Sequence, residues 1–147
     1  MLGVFSEEFV VPMAQALLAL GAERAMVMHS RDGLDELTTT DRTLIAHVTG
    51  GEVITEDFDP SGLGLPRPSM EDLRARDLDD AAALFTAILA GEPGPPRDMV
   101  VLNAAATLTV AGIVDSLEEG VAAAQGAIDR GASKKTLAAL CERSQEG

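Results

Sequence analysis

The segment Ser30-Arg31-Asp32-Gly33-Leu34-Asp35-Glu36 gathers three carboxylates within five positions, around a glycine. Carboxylates on a loop are what Mg²⁺ accepts when it also holds substrate phosphates: one or two protein ligands, with water completing the octahedron. Asp35 and Glu36 are adjacent, so they project in different directions and can grip one cation from two sides or serve two. The same residues also fit a solvated acidic loop, and spacing alone leaves both readings open. Other candidates carry plainer expectations. His29 reads as a hydrogen-bonded structural histidine, and His47 as structural or exposed. Asn103, in an apolar run, should be a buried amide satisfied by a neighbour's backbone. Arg67, between two prolines, has the reach for a phosphate, although a surface salt bridge is the commoner role. Gly62-Leu63-Gly64 lacks a third glycine at the spacing of a phosphate cradle and reads as a turn.

These residues need elements to hold them. Ala25-Met26-Val27-Met28-His29 is a short, nearly all-apolar run, which suggests a strand buried on both faces, as in a parallel sheet covered by helices. The acidic segment then lies at that strand's carboxyl end, where open α/β sheets place their chemistry. Ahead of it, Ser6 with Glu7 and Glu8 opens a helix over about residues 7–20, loosened or bent by Pro12 and stopped at Gly21. After it, 43–48 and 52–58 are β-rich and flank Gly50-Gly51, the signature of a tight hairpin. Prolines and glycines over 59–68 predict loop.

The remainder reads as helical. Ser69 with Asp72 resembles a capping box, a helix follows over about 79–90, and 99–111 is apolar nearly all round, so it should be surrounded by protein. Ser116 with Glu119 opens a helix ending near Gly131, and Ser133 is expected to cap a last one over 134–144. Met13, Met26, Met28 and Met99 are expected in the core. The fold class is α/β: a partial parallel or mixed sheet with a hairpin, covered by helices.

Composition sets the outer bounds. With 147 residues the chain is one compact domain or a piece of a larger one. Its net charge of −13 argues against non-specific binding to nucleic acid or an anionic membrane. Hydrophobic residues make up 46% but aromatics only 3%, so the core must be aliphatic and a base-stacking surface is nearly excluded. The single cysteine, Cys141, forbids an intramolecular disulfide, fits a reducing compartment and is expected to be packed or half-exposed. No apolar run reaches the roughly 18 residues of a membrane span, and nothing at the start resembles a signal peptide, so a cytoplasmic protein is expected. One difficulty remains. A doubly buried strand at 25–29 with the hairpin at the sheet edge would leave backbone groups unpaired, at about 1–3 kcal/mol each. The elements are therefore expected to belong to a larger α/β unit or to pair with another chain.

His29 to Glu36 resembles the acidic metal motif of the anthranilate phosphoribosyltransferase family. Gly3-Val4-Phe5-Ser6 running into Pro12-Met13-Ala14 is similar to the same family, as are Gly62 to Ser69, Val101-Leu102-Asn103-Ala104-Ala105-Ala106 and the helix start at Ser116–Gly120. The resemblance runs in order over nearly the whole chain. It implies that residues 1–147 are the carboxyl-terminal part of a nucleoside phosphorylase/phosphoribosyltransferase-like α/β domain. The family's helical amino-terminal domain, glycine-rich phosphate loop, Lys-His-Gly-Asn segment and anthranilate-facing arginine would lie upstream. Asp35 and Glu36 match the adjacent acids that hold a second Mg²⁺ beside the pyrophosphate of phosphoribosyl pyrophosphate. The implied reaction transfers the phosphoribosyl group to the amine of anthranilate, in tryptophan biosynthesis, and this chain alone should be inactive. The implied partners are phosphoribosyl pyrophosphate and anthranilate in the complete enzyme, with neither nucleic acid nor membrane. The family's homodimer, made through the amino-terminal domain, is not expected for this chain alone. A pyrimidine nucleoside phosphorylase is the nearest alternative, opposed by the paired acids because phosphorolysis needs no Mg²⁺. A non-enzymatic binding module is the other, and its nucleic-acid version is opposed by the charge.

Overall fold

The computed structural model describes residues 1–145. Its chain runs through β1 (Leu2–Gly3), α1 (Val10–Ala19), β2 (Ala25–Ser30), β3 (Thr43–Thr49), β4 (Glu52–Phe58), α2 (Leu78–Leu89), α3 (Pro95–Val110), α4 (Leu117–Asp129) and α5 (Ala132–Ser144). The strands form one sheet in the order β1-β2-β3-β4. Only β1 and β2 are parallel; β2 with β3 and β3 with β4 are antiparallel.

Alternation along β2 explains why its first four residues, Ala25–Met28, are all apolar. Met26 and Met28 point toward α3 and α4, where they join Leu37, Ile45, Val101, Leu102, Ala105 and Ala106. Ala25 and Val27 point the other way and pack with Val10, Ala14, Ala46 and Val48 beneath α1. Helices therefore cover both faces, and an apolar residue is favoured at every step. The strand is not without partners, however. It pairs with β3 over its whole length, from Ala25 opposite Val48 to Ser30 opposite Thr43. Of the hairpin only β4 is the edge; β3 is interior. The unpaired backbone expected from the sequence is thus largely satisfied within the chain.

Local rules account for most of the rest. At the hairpin Gly50 and Gly51 take φ of 58° and 80°, the two positive angles a two-residue turn requires. Pro12 sits in the first turn of α1, preceded by a 3-10 turn over Glu7–Phe9, where its missing N–H costs little. Ser6 makes no side-chain cap; its hydroxyl donates to Glu8. Between β4 and α2 the loop holds a 3-10 turn at Pro60–Leu63, and the Ser69/Asp72 capping box opens a second at Met70–Leu73. Helix α3 begins at Pro95 rather than near Met99, because prolines suit the first helical positions. At α4 the Ser116 hydroxyl accepts from the Glu119 N–H, while the Glu119 carboxylate takes the N–H of Asp115 instead of closing the box. Ser133 lies inside α5, whose cap is Gly131 at φ 69°.

Burial corrects three further expectations. Met13 is 38% exposed, since α1 turns only Val10 and Ala14 fully inward. Cys141 is exposed on α5. Helix α3 is not wrapped on every side: Val101, Leu102, Ala105 and Ala106 are fully buried, but Val100 is exposed. With Leu108, Ile113 and Ala127 it borders an apolar groove of about 500 Å³ between α3 and α4. Where those helices cross, a Cβ on Gly120 would come within 2.9 Å of Ala105, so their backbones meet closely. Among the described residues no helix is long and apolar enough to cross a membrane.

Candidate metal-binding site

The acidic segment leaves the carboxyl end of β2 and returns to β3 at Thr43, and short-range hydrogen bonds shape it. The Ser30 N–H donates to Leu34 O at 2.8 Å, Gly33 N–H to Ser30 O at 2.9 Å and Arg31 N–H to Arg42 O at 2.9 Å. Asp32 is consumed by this turn. One of its carboxylate oxygens accepts from Leu34 N–H at 3.1 Å and the other from the Thr40 hydroxyl. Of the three carboxylates in the motif, Asp35 and Glu36 remain for outside partners.

The buried Ser30 hydroxyl donates to the Glu36 carbonyl and lies 2.7 Å from the Thr43 hydroxyl. Leu37 is fully buried in the α3 side of the core. Its N–H donates to Asn103 Oδ1 at 3.1 Å, and Asn103 Nδ2 donates to Leu37 O at 2.8 Å and to Met99 O at 3.0 Å. Asn103 is therefore satisfied by a neighbour's backbone, as expected, and that neighbour is the acidic loop, but the residue is half-buried rather than buried. On the other side β1 abuts the loop: a Cβ on Gly3 would overlap the backbone carbonyl of Asp35.

The nearby cations point elsewhere. Arg31 pairs with Asp57 at 3.1 Å, and Arg42 pairs with Asp57 at 2.9 Å and Asp59 at 3.3 Å. Arg67 pairs with Asp59 at 3.4 Å, the salt-bridge role rather than the phosphate one. His29 Nδ1 lies 2.8 Å from Val4 O, which ties β2 to the chain after β1. His47 meets Glu56 at 2.9 Å across the hairpin. Among the described residues neither Asp35 nor Glu36 has a basic partner within salt-bridge distance.

That imbalance registers on Glu36. Burial raises its carboxyl above the ordinary glutamate value, and the charges of Asp35 and Asp32 raise it further. An acid pair of hard oxygens, left without countercharge, suits a hard divalent cation. It does not complete a site. No group of three metal-ligating side chains occurs among the described residues, so water and phosphate oxygens would have to supply the remaining ligands. Glu36 does border open space, a cavity of about 310 Å³ shared with Met1, Met99, Val100, Asn103, Ala104 and Thr107.

The raised value has a testable sign. Between the unfolded and the higher folded pKa, the folded chain binds more protons, so Glu36 detracts from stability as pH rises through that window. Glu36→Gln should therefore unfold at higher urea than the parent at about pH 7, with the gap closing near about pH 4. Urea midpoints at the two pH values check this. A gap that is absent, or that widens in acid, contradicts the assigned repulsion.

The acids are legible in the sequence, but what holds them is not. Ser30 and Asn103 carried the only available signals, a hydroxyl in the motif and a lone amide in an apolar helix. Nothing in the sequence ties Gly3 to Asp35.

Residues 1–134 match the glycosyl transferase family, a/b domain. The chain is 51% identical over 135 residues to the anthranilate phosphoribosyltransferase of Paramagnetospirillum magneticum, covering 92% of this chain and 39% of that one. It is 49% identical over 140 residues to that of Rhodospirillum rubrum, covering 95% and 40%. The crystal structure of anthranilate phosphoribosyltransferase (TrpD) from Thermus thermophilus superposes with a TM-score of 0.77 at 39% identity, over 88% of this chain and 38% of that one. The Saccharomyces cerevisiae enzyme in complex with PRPP and Mg superposes at 0.81, over 92% and 39%, and at 22% identity it speaks for the fold alone. The chain thus spans about two-fifths of the length of the relatives it matches.

Proposed function

We propose, for a chain that belongs to the glycosyl transferase family by its a/b domain, that it is the carboxyl-terminal part of an anthranilate phosphoribosyltransferase and supplies that enzyme's second-metal carboxylates, Asp35 and Glu36. The observation that carries this reading is the unneutralised acid pair on a braced loop, with Glu36 set against a cavity. The extent and identity of the match to the curated relatives support the choice of reaction. The partners are phosphoribosyl pyrophosphate and anthranilate, the pathway is tryptophan biosynthesis, and the setting is cytoplasmic.

Asp35 and Glu36 would hold Mg²⁺, which when bound neutralises charge on the departing pyrophosphate. The chain's other residues act around that task. Ser30 and Asn103 fix the loop, and Arg31 and Arg42 are kept off the acids by Asp57 and Asp59. Because the ribosyl carbon becomes oxocarbenium-like as pyrophosphate leaves, position and charge matter more than a strong nucleophile.

The test joins this chain to the upstream three-fifths of the Rhodospirillum rubrum enzyme, of which the chain matches 40%. The fusion should bind phosphoribosyl pyrophosphate in a Mg²⁺-dependent way by calorimetry and consume anthranilate, followed by its fluorescence. This chain alone should do neither at comparable ligand concentrations. A well-folded fusion without Mg²⁺-dependent binding overturns the reading.

A further inference from the structure

Resting on the reading of Asp35 and Glu36 as cation ligands, we propose that Asn103 is the positioning residue of that pair, setting through Leu37 where the loop presents Glu36. The Glu36–Leu37 peptide unit is held at both ends. Its carbonyl accepts from the Ser30 hydroxyl, and its N–H donates to Asn103 Oδ1 at 3.1 Å. Asn103 Nδ2 then takes the next carbonyl, that of Leu37, at 2.8 Å. One amide thus bonds both backbone groups of a single residue, as a neighbouring strand would. That fixes the peptide plane following Glu36 and with it the direction in which the side chain leaves.

The amide is spent on this task. Both Nδ2 hydrogens are used, on Leu37 O and Met99 O, and Oδ1 is engaged by Leu37 N–H. It retains no donor for a substrate. Its base is rigid, because Val101, Leu102, Ala105 and Ala106 on the same helix are fully buried. The Leu37 side chain anchors the segment in that same core. The clamp also opposes a real tendency, since the like charges of Asp32, Asp35 and Glu36 favour a spread loop. An apolar residue would fill the helix as well as asparagine does, but it would leave both Leu37 groups unpaired in a buried setting.

The test uses the whole chain, with Mn²⁺ as the probe, in the parent, Asn103→Leu and Asn103→Asp. Amide exchange by NMR reads the clamp, and paramagnetic broadening of the Asp35–Leu37 amides reads the cation. In Asn103→Leu the Leu37 amide should exchange about tenfold faster or more, while Val27 and Ile45 in the sheet stay protected. The Mn²⁺ concentration that half-broadens the Glu36 amide should rise several-fold. Asn103→Asp keeps the acceptor for Leu37 N–H but loses both donors and sets charge against the Leu37 and Met99 carbonyls, so its Leu37 amide should also exchange faster. Its carboxylate adds a cation ligand beside Glu36, so exchange alone is read in it, and it carries the clamp test if the leucine variant does not fold. Unchanged Leu37 exchange and Mn²⁺ midpoint in a folded variant overturn the proposal. Acceleration spread evenly over sheet and loop also overturns it, since Asn103 would then serve stability alone. Absence of broadening in the parent chain identifies the cation reading as the failure, and the positioning role falls with it.

Discussion

Neutralising both acids, Asp35→Asn with Glu36→Gln, is expected to lower turnover of the fused enzyme by about 10²–10³-fold, the usual consequence of removing a group aimed at developing charge. In the proposed reaction charge accumulates on pyrophosphate as its bond to the ribosyl carbon breaks, so cation ligands at these positions would act more strongly in the transition state than on bound substrate. Turnover should therefore fall more than KM rises, and the Mg²⁺ concentration for half-maximal rate should increase. The fold should not suffer. Both residues lie largely in solvent, with the Glu36 carboxyl partly withdrawn from water, and neither has a salt-bridge partner among the described residues, so their charges repel and support nothing. A double variant with ordinary stability and unchanged Mg²⁺ dependence would remove both residues from the site.

Gly3→Val should produce the largest structural effect. The Cβ it introduces would occupy the space of the Asp35 carbonyl, and that obstacle is backbone, not the movable end of a side chain. Either β1 leaves its pairing with β2, in which Leu2 faces Val27 and Gly3 faces Met28, or the loop carrying Asp35 is displaced. Overpacking of this kind costs about 1–3 kcal/mol, and more where backbone must move. Thermal unfolding should show a clear fall in midpoint, with amide shifts concentrated at 2–4 and 34–37. Gly62→Ala is the control: a Cβ there meets nothing within 4 Å and its φ is ordinary. Its midpoint should stay at the parent's value, within about 0.5 kcal/mol in stability. Equal midpoints for Gly3→Val and Gly62→Ala would mean that β1 does not press on the loop.

Much of the scaffold was legible because its causes are local. Gly50-Gly51 makes a hairpin from its own dihedral freedom, Ser116 meets an N–H three residues on, and β2 announces its two buried faces by the unbroken apolar run Ala25–Met28. Failures occurred where a local signal had a rival. Ser133 had the chemistry of a cap, but Gly131 in the left-handed region ends α4 and starts α5 in one step. Met13 had the hydrophobicity of a core residue but sits on the outer side of a helix that touches the sheet with one narrow stripe. The unpaired β2 was expected because nothing in the residues of β3 shows which strand they will face; long-range register joins them.

The site divides in the same way. Residue types alone established that three acids follow an apolar strand, in a chain of net charge −13 with only 3% aromatics. Only the tertiary structure decided that the arginines are drawn off to Asp57 and Asp59, and that Asn103 reaches across 66 positions to hold Leu37. A carboxylate's availability depends on which donors packing brings within about 3 Å of it, and chain neighbours fix only a few of those.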